Sequence, residues 1–164
     1  MMRPTNLITD EDQQRIQVAD FGLSQLETEG AQILPLVDTD RLAVKIIALF
    51  PHQTLPEHWH PPVGDDPGKE ETFRVISGTL LLYVEGTPTL HAGSIPAGKD
   101  ACYTARHEIV MQPRDQITLA PGAKHWLQAG SEGAVVFSFS TCARDILDGF
   151  SDPDVVRTTK IVDD

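Results

Sequence analysis

Apolar and polar positions divide the chain into two textures. Near the N-terminus, "TDEDQQRIQVADFGL" is polar and punctuated like a helix, with Thr9 as cap, acidic residues in the first turn and Gly22 as stop. It is too short and polar to form a core, so it predicts a flank on the main body. "RLAVKIIALF", closed by Pro51, is a β-branched apolar run and predicts a buried strand. Beyond Pro51 short apolar runs alternate with Gly and Pro punctuation through "TFRVI", "LLLYVEG" and "HEIVMQPRDQITLAPGAKHWLQAGSEGAVVFSFS". That rhythm predicts an all-β sandwich or barrel. "CARDILDGFSDPDVV" predicts a short helical turn and a tail. The expected organisation is one domain over 1–164: a helical N-terminal flank at 1–40, a β-barrel at 41–141, and a C-terminal turn and tail at 142–164.

A chain of 164 residues fits one domain with a core of its own. Its net charge of −11 disfavours nucleic acid, whose binding draws on clustered Lys and Arg, and disfavours an anionic membrane surface. No run approaches the ~18 apolar residues of a membrane span. The two cysteines, Cys102 and Cys142, build no disulfide framework, and no apolar leader stands at the N-terminus, so a reduced, cytoplasmic setting is expected. A small uncharged substrate, or one held through a metal cation, suits this balance.

The chemistry concentrates in "PEHWHPPVGDDPGKEETFRVISG". Side chains two apart on a strand share a face, which puts His58 and His60 together and Trp59 opposite. If "KEETFRVI" is the next strand, Lys69, Glu71, Phe73 and Val75 share one face, and Glu70, Thr72 and Arg74 the other. A carboxylate above an apolar floor suits a metal site, so Glu71 is preferred to Glu70. The turn in "APGAKHW" delivers His125 as a fourth ligand. Three imidazoles and a carboxylate suit a first-row divalent ion, and ligand type alone does not choose among Mn, Fe, Co, Ni and Zn. Lys69 is either a solvated loop-end lysine or a group acting beside the metal. Trp59 and Trp126 are expected to pack the barrel against its flank. Tyr83, Glu85, Arg106, His107 and Glu108 are read as strand-end or surface groups.

These residues resemble the motifs of the cupin superfamily: His58, His60, Glu71 and then Gly78 for the first, Pro121, Gly122 and His125 for the second. The resemblance implies a jelly-roll-like double-stranded β-barrel. A narrower resemblance runs over residues 50–153. "GKEETFR", "HEIVMQP", "PGAKHWLQAGSEGAVV" and "FSDP" are similar to the D-lyxose ketol-isomerase family of cupins. It implies Mn²⁺ on His58, His60, Glu71 and His125, a homodimer, and interconversion of D-lyxose with D-xylulose through an enediolate, some members also taking D-mannose. Lys69 is the expected base or charge stabiliser, with a pKa lowered beside the metal, and Asp152 maps to a family carboxylate. A second family carboxylate falls on Ser138, which cannot move a proton at neutral pH; Glu108 or Asp148 would then replace it. An Fe(II)-dependent dioxygenase and a non-catalytic sugar-binding cupin are the alternatives.

Overall fold

The computed structural model describes residues 8–157, and within them strands dominate. A five-residue helix, α1 (Asp10–Gln14), is followed by strands β1 (Gln17–Ala19), β2 (Ala31–Asp38), β3 (Leu42–Leu49), β4 (Thr54–Trp59), β5 (Glu71–Val84), β6 (His107–Met111), β7 (Gln116–Leu119), β8 (His125–Thr141) and β9 (Gly149–Phe150). All nine belong to one curled antiparallel sheet, in the order β1-β2-β3-β8-β4-β9 with β5 joined to β6, β7 and β8. The fold is that of a cupin. The strands β5 and β8 pair over almost their full length and bend together, so they serve both halves of the curl. Gly78 makes the bend possible: its φ is +73°, and a Cβ there would lie 1.9 Å from the carbonyl oxygen of Gly133.

Alternation sorts each strand into an inner and an outer face. Ile33, Ile47, Leu55, Phe73, Val75, Leu80, Leu82, Leu127 and Val136 fill the interior. A second cluster of Leu81, Tyr83, Tyr103, Ala105 and Trp126 lies on the outer side of β5 and β8, under the connection that runs from β5 to β6. Trp126 is fully buried and stacks on Tyr83 with ring centroids 3.7 Å apart, so it packs the barrel against the β5–β6 connection and not against the N-terminal flank, and Tyr83 is a core residue and not a surface one.

The N-terminal expectation needs correction. Thr9 does cap a helix, with Asp12 closing the capping box, but the helix ends at Gln14. Val18 and Ala19 are drawn instead into pairing with Gln32 and Ala31. The described part of the expected flank, residues 8–40, is therefore not mainly helical: it supplies two strands of the sheet, β1 and β2. Backbone groups offered a sheet edge satisfy more hydrogen bonds there than in an isolated turn of polar helix. The C-terminal stretch forms the expected short turn, a 3-10 helix at Asp145–Leu147, before β9. Residues 1–7 and 158–164, the ends of the expected flank and tail, lie outside the described residues.

Candidate metal centre

Three backbone features deliver the ligands. Pairing between β4 and β8 runs in regular register through Thr54–Gln128 and Leu55–Leu127, then slips by one residue so that His58 faces His125. This bulge at Pro56 and Glu57 changes the parity of β4. Leu55 and His58 both point inward although three apart, and Glu57 is turned out, where it accepts hydrogen bonds from the Thr104 and Ala105 amides and the Ser151 hydroxyl. His60 follows just past β4, Glu71 opens β5 inward, and the turn at Pro121–Gly122 (φ +74° at Gly122) leads to His125 at the start of β8.

His58, His60, Glu71 and His125 are all buried, and one ligand-type atom from each lies within 4.8 Å of the others. Bonds of about 2.0–2.2 Å to a common cation would set opposite ligand atoms about 4.0–4.4 Å apart, so only a small contraction separates this cluster from a coordination sphere. The imidazoles are oriented for it. His58 Nδ1 lies 2.9 Å from the Pro56 carbonyl, His125 Nδ1 2.9 Å from the Ala123 carbonyl, and His60 Nδ1 2.7 Å from Asp148 Oδ1. Each Nδ1–H donates outward, which leaves the Nε2 edge facing the centre. His125 Nε2 is buried with no hydrogen-bond partner among the described residues. A buried lone pair without a donor is costly, and a cation would satisfy it. The four residues therefore fit a divalent metal ion.

The charges agree with that fit. Burial, reinforced by the neighbouring imidazoles, holds His58 well below the ordinary histidine pKa, and burial brings His125 down to about 4. Both are neutral ligands at physiological pH. Burial also pulls on His60, but Asp148 and Glu71 outweigh it and raise its pKa; its Nε2 lies 2.9 Å from Glu71 Oε2. A bound cation would displace that proton. Burial pushes Glu71 up, yet Lys69 and the imidazoles overcome it, and its carboxyl sits well below the usual range.

Lys69 lies 3.2 Å from Glu71 Oε2 and is buried, so it is no solvated loop-end residue. Among the protein's own groups, without a cation, its ammonium form is favoured. Burial alone would lower its pKa, but Glu71, Asp145 and Asp148 reverse the shift and raise it. Lys69 and the carboxylates of Glu71, Asp145 and Asp148 open onto a small cavity, which Phe73, Leu127 and Ile47 floor and Phe21, Phe150 and Arg157 also line.

Other polar residues reach the cavity that pattern reading did not single out. Lys45 points inward from β3 opposite Ser138 and pairs with Asp145, a carboxylate held down to about 2: burial opposes its charge, but Lys69 and Lys45 prevail. A lysine in the middle of "LAVKIIAL" was the available signal for Lys45; Asp145 and Arg157 gave none. Ser138 is buried and donates to Glu71 Oε1, so it holds a ligand instead of moving a proton.

Glu108 and Asp152 are brought elsewhere. Glu108 sits on β6 opposite Tyr83, outside the barrel wall, and accepts from the Tyr83 hydroxyl at 2.8 Å and from the amides of His91, Ala92 and Gly93. Asp152 accepts from Lys99, 2.7 Å away, which also pairs with buried Glu29. Both carboxylates are spent on fastening the long β5–β6 connection, and neither lines the cavity. Asp148 does, with one oxygen on His60 and the other without a hydrogen bond among the described residues.

No family model matches the chain. It is 51% identical over 151 residues to a D-lyxose ketol-isomerase of Cohnella laeviribosi, covering 92% of this chain and 83% of that protein. It is 48% identical to a D-lyxose/D-mannose isomerase of Thermosediminibacter oceani, covering 95% and 87%. Among solved structures, an L-ribose isomerase of Cellulomonas parahominis superposes with a TM-score of 0.76 over 90% of this chain and 85% of that one, at 14% identity. A Klebsiella pneumoniae protein with a double-stranded β-helix domain gives 0.53 over 74% and 84%, at 16% identity. At such identities the structural likeness speaks for the fold.

Proposed function

The chain belongs to the D-lyxose ketol-isomerase family of aldose–ketose isomerases, and from that premise we propose that it interconverts D-lyxose and D-xylulose in the cytoplasm with Mn²⁺ on His58, His60, Glu71 and His125. D-mannose carries the same configuration at C2, C3 and C4 as D-lyxose, so D-mannose and D-fructose form a second pair within its reach. The observation that carries the reading is the buried four-ligand cluster with an orphaned His125 Nε2, opening onto a cavity that Lys69 and Asp148 line.

A divalent cation there supplies Lewis acidity toward a carbonyl and its neighbouring hydroxyl. The chain's own groups do the rest. Nδ1–H bonds from the three imidazoles, and the Ser138 bond to Glu71, fix the ligand set. Isomerisation moves a proton between C1 and C2, which requires a group within hydrogen-bond reach of the carbon. Asp148 takes that role through its unpaired oxygen. Lys69, kept protonated by three carboxylates, places positive charge beside the sugar oxygens while they exchange carbonyl and hydroxyl character. The apolar floor of Phe73, Leu127 and Ile47 limits water around the exchanging proton.

The family resemblance also supports a homodimer. Val37, Leu42 and Phe139 are exposed on the outer face of β2, β3 and β8 and offer an apolar surface for it. The deciding experiment incubates Mn²⁺-loaded protein with D-lyxose and D-mannose and follows ketose by NMR. Absence of ketose from both sugars, with one metal per chain confirmed, would overturn the reading.

A further inference from the structure

Three cationic side chains converge on one carboxylate in the wall of the cavity. The 3-10 turn at Asp145–Leu147 brings Asp145 inward; Lys45 pairs with its Oδ2, Arg157 reaches the same oxygen at 3.2 Å, and Lys69 lies 3.5 Å from Oδ1. The side chains of Lys45 and Lys69 retain only 11% and 8% of their exposure. Asp145 is the only carboxylate paired with Lys45 or Arg157 among the described residues. Burying these cations demands a counter-charge, and Asp145 provides it.

Two lysines and an arginine around a single oxyanion form the donor set that recognises a phosphate or a sugar carboxylate. In this cavity the set is already filled from within. We propose that Asp145 is a built-in anion that occupies an anion-binding subsite of the sugar cavity and so confines the enzyme to uncharged sugars. The assignment rests on the sugar-isomerase reading above and adds which sugars the site refuses. A phosphorylated or acidic sugar would have to displace Asp145 from its three partners or set a second negative charge against it, and either course weakens binding. An aldose with hydroxyl groups only meets no such conflict.

The test compares xylitol, an uncharged polyol of the right chain length, with xylitol 5-phosphate, each titrated by calorimetry into Mn²⁺-loaded protein. Wild type is expected to bind xylitol more tightly. Asp145→Gly vacates the slot, and its affinity for the phosphate ester relative to xylitol is expected to rise about tenfold or more, the scale of one recovered charge-assisted contact. Adding Lys45→Met to that variant is expected to cancel most of the gain. A parallel thermal-shift measurement with sodium sulfate needs no sugar: Asp145→Gly is expected to gain stabilisation that wild type lacks. An unchanged affinity ratio in folded Asp145→Gly overturns the assignment, as does wild type binding the ester as well as it binds xylitol. Sulfate stabilisation without polyol binding in any form refutes the sugar reading, and the specificity assignment with it.

Discussion

Ser138→Ala isolates the part that a single hydroxyl takes in the metal centre. Ser138 Oγ donates to Glu71 Oε1 at 2.5 Å, and both residues are nearly inaccessible, with 1% and 4% of their surface exposed. No water can take over the bond, and Ala is close enough in size that packing around Phe73 and Lys45, its neighbours across β5 and β3, is little disturbed. A hydrogen bond to a charged group is worth about 1.5–3 kcal/mol. Glu71 keeps its charge through Lys69 and His60, so the loss falls mainly on the orientation of its carboxylate toward a cation. Removing such a support weakens metal binding by about 10–100-fold. Competition for Mn²⁺ against a fluorescent chelator would measure this, with Ser131→Ala, an exposed serine of the same strand, as control. A dissociation constant within about twofold of wild type, in a variant that unfolds at the wild-type temperature, would refute the view that Ser138 acts through Glu71.

Other outcomes are expected from the same geometry. Asp148→Asn should lower kcat by about 10²–10⁴-fold while leaving the His60 bond an acceptor, so that metal content is preserved; steady-state kinetics with elemental analysis checks both. His58 and His125 have pKa values depressed on folding, so the unfolded chain binds more protons between pH 6.5 and about 4, and stability of the metal-stripped protein should fall as pH drops through that window. The shift of His125 from 6.5 to about 4 corresponds to roughly 3 kcal/mol, partly opposed by His60, whose raised pKa acts in the other direction. Melting temperatures of stripped protein at pH 7, 5.5 and 4.5 test this, and a flat profile would count against it. Gly78→Ala should cost at least about 2 kcal/mol in urea unfolding, since the methyl group meets the Gly133 carbonyl and the backbone sits at positive φ.

The four-ligand set was legible in the sequence because it depends on short-range rules. Alternation puts His58 with His60 and Glu71 with Phe73 and Val75, and Gly and Pro mark the turn before His125. The same alternation, with its Gly and Pro breaks, specified an all-β barrel. What it could not reveal were changes of parity and partners far away in the chain. The bulge at Pro56 lets Leu55 and His58 share the interior, and only pairing with β8 shows it. Residues 17–38 look like a flank until β3 offers an edge to β2, and β2 in turn offers one to β1. Glu108 and Asp152 have the right chemistry for proton transfer, but Tyr83, three loop amides and Lys99 claim them. Lys45 and Asp145 stand 100 residues apart and mean little separately. Sequence decided which side chains share a strand face, a matter of local backbone geometry; tertiary structure decided which charges meet, because buried ions must find partners wherever the folded chain brings them.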